Sequence, residues 1–578
     1  MIVKFLKKYG WRYIPGCIFL FLSSYIQTLA PKALGHVFDV LELSPDDHAA
    51  VYAGIQAIIL IALAAFVTRF IWRYFINGNA RNLECFLREE LFLHLQQMNP
   101  HFFNHQKTGD LIAYAINDIN AVRMTFGPGL AMVLNGLGVA ILSIGSMAGD
   151  INLKLTLVSL LPIPFIIVFI VLMGGQVRKR FRRVQETFAQ VSDRVNENIN
   201  GIRVIKAYVQ EDAEVDRFEA LNNQVREANV RMVRVSSMFQ PLVQIFFGIS
   251  FAISIFYGTS LAQAGEISIG DVVAFNSYLT IIMMPIISIS RIINVFQRGT
   301  ASYRRLMGIL DVPPMVVDGD GDPSLTLRRG EVEIRDLTFT YPGTDQPVLE
   351  HIDLHIAPGQ TLGILGYTGS GKTTLVNLLL KLYNPPEGAI FMDGVDITHY
   401  RLGPLRENIG YVPQDNFLFS ASIAENIKFF SDQYSQQDVE HAAKAAMIHH
   451  NIVEFPEGYQ TQLGDRGVNL SGGQKQRISI ARALIKQPAL YIMDDALSAV
   501  DTETEEAILH NFSDELAGKS GIIIAHRISA VQNCDQIIYL EHGRIVERGD
   551  HESLLAAGGR YAQLYAQQSQ EDERGVGA

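Results

Sequence analysis

Six long apolar stretches in the first half of the chain leave it little choice but a membrane bundle. Each is near the roughly 20 residues that an α-helix needs to cross a hydrocarbon core. They lie at about 13–35, 52–76, 127–148, 155–177, 239–262 and 272–296. A soluble core could bury one such stretch, but not six. The fourth carries Pro162 and Pro164 among Leu160, Leu161, Ile163 and Phe165; neighbouring helices make such breaks tolerable in a membrane. Ahead of the first stretch, Met1 to Gly10 mixes Lys4, Lys7 and Lys8 with Ile2, Phe5 and Leu6. That pattern predicts a short amphipathic helix lying on the bilayer surface. No small-residue cleavage site follows the first apolar run, so it is read as a span and not as a removed leader.

The connecting segments fix the orientation. The short loop at 36–51 is acidic, with Asp39, Glu42, Asp46 and Asp47, whereas the long segments at 77–126 and 178–238 carry Arg81, Arg88, Arg178, Lys179, Arg180, Arg182 and Arg183. Positive residues stay on the cytoplasmic side, so both termini and both long segments are cytoplasmic. At about 1.5 Å per residue, those helical segments reach well beyond the bilayer. Arg69 and Arg73 are expected to snorkel to the cytoplasmic face, and Arg291 is a weak candidate for a water-filled cavity. Cys17, Cys85 and Cys534 lack metal-ligand spacing and cannot all pair, which excludes a disulfide scaffold.

The chain is 48% hydrophobic and carries a formal charge of −11, so a soluble part must accompany the membrane part and a nucleic-acid partner is disfavoured. From about Arg304 the pattern turns polar. Asp311-Val312-Pro313-Pro314 through Asp322-Pro323 reads as a linker, and β alternation begins at Val332. The expected organisation is a membrane all-α six-helix domain at 1–303, a linker at 304–330, an α/β P-loop domain at 331–567 and a disordered tail at 568–578.

In the second domain the apolar run Thr361–Leu365 leads into Gly366-Tyr367-Thr368-Gly369-Ser370-Gly371-Lys372-Thr373, and Thr374-Leu375-Val376 continues as a helix. Strand, glycine-rich loop and helix are the context in which backbone amides cradle phosphates. Gly366, Thr368, Gly369, Ser370, Gly371, Lys372, Thr373 and Thr374 are the candidate phosphate-binding residues. Lys372 reaches the terminal phosphates and the Thr373 hydroxyl is placed for Mg²⁺. Tyr491-Ile492-Met493-Asp494-Asp495 ends a strand in two carboxylates. Asp494 is the candidate Mg²⁺ residue, and Asp495 stands where a base orients the attacking water. Leu470-Ser471-Gly472-Gly473-Gln474 opens a helix and makes a second anion site from Ser471, Gly472, Gly473 and Gln474.

That pentapeptide, between the P-loop and Asp494, resembles the signature of the ATP-binding cassette (ABC) superfamily. The resemblance implies roles for further residues. Tyr341, before Pro342, matches the aromatic that stacks on adenine. Gln414, in Tyr411-Val412-Pro413-Gln414, matches the glutamine that senses Mg²⁺ and water. Ser498-Ala499-Val500-Asp501 resembles the loop that crosses the dimer interface, and His526 the switch histidine at the γ-phosphate. Gly464-Asp465-Arg466-Gly467 resembles a loop specific to exporters. In the first half, His101-Phe102-Phe103 with Thr108–Leu111, and Asn200–Tyr208, match the cytoplasmic extensions of the same exporters.

The resemblance covers nearly the whole chain and is closest to the BmrC/YheI-like subunits of bacterial heterodimeric multidrug exporters. It implies a multi-pass protein of the bacterial cytoplasmic membrane that exports amphipathic small molecules at the expense of ATP and Mg²⁺. Its partners would be membrane lipids and a second half-transporter. Most of the family has glutamate where Asp495 stands. Aspartate is one methylene shorter, so the chain is expected to bear a degenerate site, with its intact signature completing a competent site on the partner. The alternative is a homodimeric exporter of lipids or peptides.

Overall fold

The structure, a computed structural model, describes residues 1–44, 46–318, 321–464, 467, 469–497, 502–515 and 518–575. The expectations for Ser498–Asp501, for Asp465 and Arg466, and for Gly319 and Asp320 of the linker therefore lie outside the described residues. The chain divides into two compact units, one of residues 1–96 and 106–312, the other of residues 97–105 and 313–578.

In the first unit, six helical runs among the described residues are long and apolar enough to cross a membrane: Ile2–Leu43, His48–Gln97, Thr108–Ile151, Leu153–Asn200, Glu211–Gln263 and Ile269–Leu310. The second contains one unbroken helix of 50 residues, about 75 Å long. The prolines of the fourth run sit at a break. A helix ends at Leu160 and another starts at Ile163, with Pro164 in its first turn, where the missing N–H costs nothing. The amphipathic segment is helical over Ile2–Tyr9, but its apolar face is not reserved for lipid. Phe5 is buried, 5.8 Å ring to ring from Phe86.

Polar residues close this bundle at long range. Asp39, read as part of an acidic loop, lies instead in the helix Tyr13–Leu43. Its carboxylate accepts the Ser268 hydroxyl at 2.9 Å and the Gly270 amide at 2.7 Å, so it caps the helix Ile269–Leu310. Gly35 and Gly270 permit the approach, since a Cβ on Gly270 would stand 2.2 Å from the Gly35 carbonyl oxygen. The same helix runs to Leu310, past the boundary expected at 303. The reason is a network around buried Asp118, which accepts the Ser302 hydroxyl at 2.7 Å and Nε of the half-exposed Arg305 at 3.1 Å. Arg305 is thus the polar end of a packed helix and not the start of a linker.

The second unit holds two sheets. Strands β1 (Val332–Phe339), β2 (Leu349–Ile356), β4 (Ile390–Met392) and β5 (Val395–Asp396) form an antiparallel sheet in the order β2-β1-β4-β5. The other has the order β10-β9-β3-β8-β7-β6, from β3 (Thr361–Leu365), β6 (Ile409–Val412), β7 (Leu490–Asp494), β8 (Ser520–Ile524), β9 (Gln536–Glu541) and β10 (Arg544–Gly549). Its central strands are parallel and mostly apolar, because both faces are covered. Leu490 and Ile492 of β7 join one buried cluster and Tyr491 and Met493 the other, as the period-two alternation of a strand requires.

Over residues 568–575 the tail expected to be disordered is helical, and residues 576–578 lie outside the described residues. A helix covers Arg560–Gly575. Gln568 anchors it, donating to the His526 carbonyl at 2.7 Å and accepting the Ile528 amide at 2.9 Å. Polar composition alone points to an unpacked end, but one carboxamide bonded to the backbone of another segment docks it.

Candidate functional site

The parallel order of β3, β8 and β7 brings the carboxyl ends of these strands together, and most of the expected site residues follow those ends. After β3 the chain turns through Gly366 and Gly371, whose φ values of 154° and 105° place both outside the ordinary side-chain-bearing range. A Cβ at Gly366 would stand 2.2 Å from the Leu540 carbonyl oxygen, so substitution there displaces the loop. The helix Lys372–Leu379 follows directly. Lys372 is buried, and its ammonium donates to the carbonyls of Gly366 at 2.7 Å and Tyr367 at 3.0 Å. Burial pulls its pKa down, while the carboxylates Asp494 and Asp495 pull it back up.

Asp494 ends β7, is only 3% exposed, and its Oδ2 has no hydrogen-bond partner. Burial raises its pKa; the Thr373 hydroxyl, Lys372 and His526 act in the opposite direction. An acid whose folded pKa is raised is penalised when ionised, and that penalty appears as pH rises through the folded value. Asp494→Asn is therefore expected to raise the melting temperature of the nucleotide-free protein. Each kcal/mol relieved reads as about 2–4 °C in a domain of this size. A melting series from neutral to acid pH checks this: the gain should shrink as pH falls, and a lower melting temperature at neutral pH would contradict the reading.

Asp495 follows with φ 51°, and its amide donates to the Ile524 carbonyl at 2.9 Å. Gln414, just beyond β6, donates from Nε2 to Asp495 Oδ2 at 3.5 Å. Asp495 also lines a cavity of about 200 Å³ with His526, Arg527 and Glu505. So Asp494, Asp495, Gln414, Lys372 and His526 form one neighbourhood, as expected.

Tyr341 lies beside the P-loop helix, its hydroxyl donating to Thr374 Oγ1 at 3.0 Å and its ring edge-on to Tyr383 at 5.0 Å. The signature residues are held differently. Ser471 Oγ accepts the Gln474 amide at 3.3 Å and Gln474 Oε1 accepts the Ser471 amide at 3.0 Å, a reciprocal cap on the helix Gly472–Leu484. Both of these bonds stay within the Ser471–Gln474 pair. Further along that helix, Arg482 donates to the carbonyls of Asn426 at 2.8 Å and Phe417 at 3.0 Å. Burial brings its pKa down to about 10. It ties the signature helix to the segment that follows Gln414.

Three features escaped the sequence. Glu505, 1% exposed, accepts Ser529 Oγ at 2.9 Å and Arg527 Nη1 at 3.4 Å, which fixes the segment after His526. No local pattern marks it. The helix Pro100–His105 belongs to the second unit, where His101, Asn104 and His105 line a cavity of about 490 Å³ with Tyr341 and Asn377. In the first unit, Arg69 and Arg73, both exposed, line a cavity of about 440 Å³ with Gln27, Trp72, Asn77 and Asn135. Arg291 is exposed and lines none of these cavities.

Comparison with known proteins follows the same division. The family model of the ABC transporter transmembrane region matches residues 13–286, and that of the ABC transporter family matches residues 349–498. The chain is 37% identical over 582 residues to the probable multidrug resistance ABC transporter ATP-binding/permease protein YheI of Bacillus subtilis, covering 99% of each. It is 36% identical over 560 residues to the multidrug resistance-like ATP-binding protein MdlA of Escherichia coli, covering 97% of this chain and 95% of that protein. Among solved structures, a bacterial Atm1-family ABC exporter with ATP bound superposes with a TM-score of 0.79 at 26% identity, covering 97% of this chain and 98% of the other.

Proposed function

Because this chain belongs to the ABC exporter family, a cytoplasmic-membrane protein whose ATPase domain binds ATP in the cytoplasm and drives transport, we propose that it is the degenerate-site half of a heterodimer exporting amphipathic small molecules. The observation that carries this reading is an aspartate, Asp495, at the position of the water-orienting base, with Gln414 reaching it at 3.5 Å. Similarity to proteins named for multidrug resistance supports the substrate class.

Asp494 Oδ2, buried and without a partner, the Thr373 hydroxyl and the Gln414 carboxamide are hard oxygen donors that fit Mg²⁺. Bound there, the ion would neutralise charge on the β- and γ-phosphate oxygens. Lys372 and the P-loop amides from Gly366 to Thr374 hold the phosphates, and Tyr341 flanks the adenine. In hydrolysis a water oxygen attacks the γ-phosphorus as its bond to the bridging oxygen breaks, leaving ADP and inorganic phosphate. The Asp495 carboxylate stands too far back to orient that water well, while His526 faces the γ-phosphate. Ser471, Gly472, Gly473 and Gln474 complete the partner's site instead. A partner is also suggested by the tip of the first unit. The helix Ile202–Ala207 buries none of its residues, and Val204, Tyr208 and Val209 are exposed there.

The test is ATP-driven uptake of a cationic amphipathic dye into inside-out vesicles holding this chain, with or without the second half-transporter that co-purifies from its native membrane. Uptake should need both chains. Full uptake with this chain alone would replace the heterodimer with a homodimer.

A further inference from the structure

Where the helix Ile163–Asn200 leaves its apolar part, it packs along the helix Glu211–Ser236, which leads back into the apolar helix Phe239–Gln263. Between these two helices lies a cavity of about 720 Å³, whose lining includes Lys179, Arg180, Arg182, Arg183 and Arg231. Only two carboxylates, Glu186 and Glu227, share that lining, leaving a surplus of three positive charges. Glu186 is taken by Arg183 at 3.3 Å and Glu227 by Arg231 at 3.0 Å. Arg180 donates to Gln176 Oε1 at 2.8 Å. Among the described residues, no ion pair engages Lys179 or Arg182.

The depth of this cavity is set independently by both helices. The charge-free apolar run of one helix ends at Leu172-Met173 and that of the other begins at Met238-Phe239, and these ends bound the hydrocarbon-facing stretch; Phe181 and Val233, exposed beyond them, lie among arginines. Lys179 lies seven residues beyond Leu172, and Arg231 seven residues before Met238. At about 1.5 Å per residue, both put the basic groups about 10 Å past the apolar edge. That is the headgroup layer, given a hydrocarbon core of about 30 Å inside a bilayer of about 40–45 Å. The side is cytoplasmic, by the excess of Lys and Arg. No aromatic ring lines the cavity, so nothing there would stack on a nucleotide base.

We propose that this cavity binds the headgroup phosphate of an anionic glycerophospholipid of the cytoplasmic leaflet. Lys179 and Arg182 supply unpaired donors from one helix, and Arg231 adds charge from the other. The lipid braces the two helices where they enter the bilayer. This site is separate from the ATP site and does not rest on the identity of the exported compound.

Native mass spectrometry of the full chain in a neutral detergent, titrated with phosphatidylglycerol or phosphatidylcholine, tests it. Phosphatidylglycerol should be retained about tenfold over phosphatidylcholine, and Lys179→Gln/Arg182→Gln should remove most of that preference. Gln keeps the helix, and an unchanged melting curve in detergent alone shows that the variant folds. Arg203→Gln/Arg226→Gln, with the same charge loss outside the cavity, should keep the preference. Equal retention by the cavity variant and the parent overturns the proposal. So does displacement of the lipid by inorganic phosphate or glycerol 3-phosphate, which would make this a site for a soluble anion.

Discussion

Replacing Asp495 by glutamate is expected to raise the Mg²⁺-dependent ATPase rate of the purified chain by about 10²-fold, the low end of what a positioned general base contributes. The expected gain comes from the side chain. The Asp495 amide is held by the Ile524 carbonyl at 2.9 Å, and that bond continues the pairing of β7 with β8. The backbone therefore cannot move forward by the roughly 1.5 Å that a missing methylene costs in reach without breaking the strand end. The φ of 51° at this residue also suits aspartate better than glutamate, because short polar side chains tolerate left-handed backbone by bonding locally. A glutamate here should cost less than about 1 kcal/mol of stability, so the gain in rate should come with nearly unchanged melting. Steady-state phosphate release by the two proteins decides it. Equal, substantial turnover in both would mean that aspartate suffices and that a homodimer is the better description.

The second large effect is expected at Lys372. Lys372→Ala, made in the Asp495→Glu chain so that the starting rate is measurable, should lower ATP hydrolysis by about 10²–10³-fold, as loss of one preorganised charged donor does. The two carbonyls that hold the ammonium, Gly366 and Tyr367, are part of the loop itself. Nucleotide affinity should therefore fall together with the rate. Removing this buried cation relieves its desolvation but also removes its attraction to Asp494 and Asp495, so the melting temperature should stay nearly unchanged. Titration with a fluorescent ATP analogue beside the rate assay separates the two effects. Hydrolysis within tenfold of the parent would remove Lys372 from the site.

The phosphate-binding loop, the paired carboxylates and the six spans were all readable because each is written in consecutive residues. A loop such as Gly366–Thr373 bends its own backbone, and an apolar run of twenty residues carries its meaning wherever it sits. What could not be read was polar chemistry between distant positions. Asp39 looks like one more acid of a loop until Gly270, 231 positions later, is set against it. Arg305 looks like the start of a linker until Asp118 is found 187 positions earlier. Gln568 looks like an unstructured end until the His526 carbonyl is placed beside it. Glu505, held by Arg527 and Ser529, belongs to the same class. A polar residue announces its cost of burial, but only the fold names the partner that offsets it.

The cap that Asp39 places on the last membrane helix also sets an order of events in biosynthesis. Its carboxylate leaves the ribosome 229 residues before the serine hydroxyl it will accept. At about 5–20 residues per second, that is a wait of roughly 10–50 s. During this interval the first hairpin is inserted with an unsatisfied acid at its outer end, and the glycine-lined groove at Gly35 stands open. The bundle can close only when the sixth helix arrives. Nascent chains arrested before Ser268 should therefore be the ones that membrane proteases and insertion chaperones find.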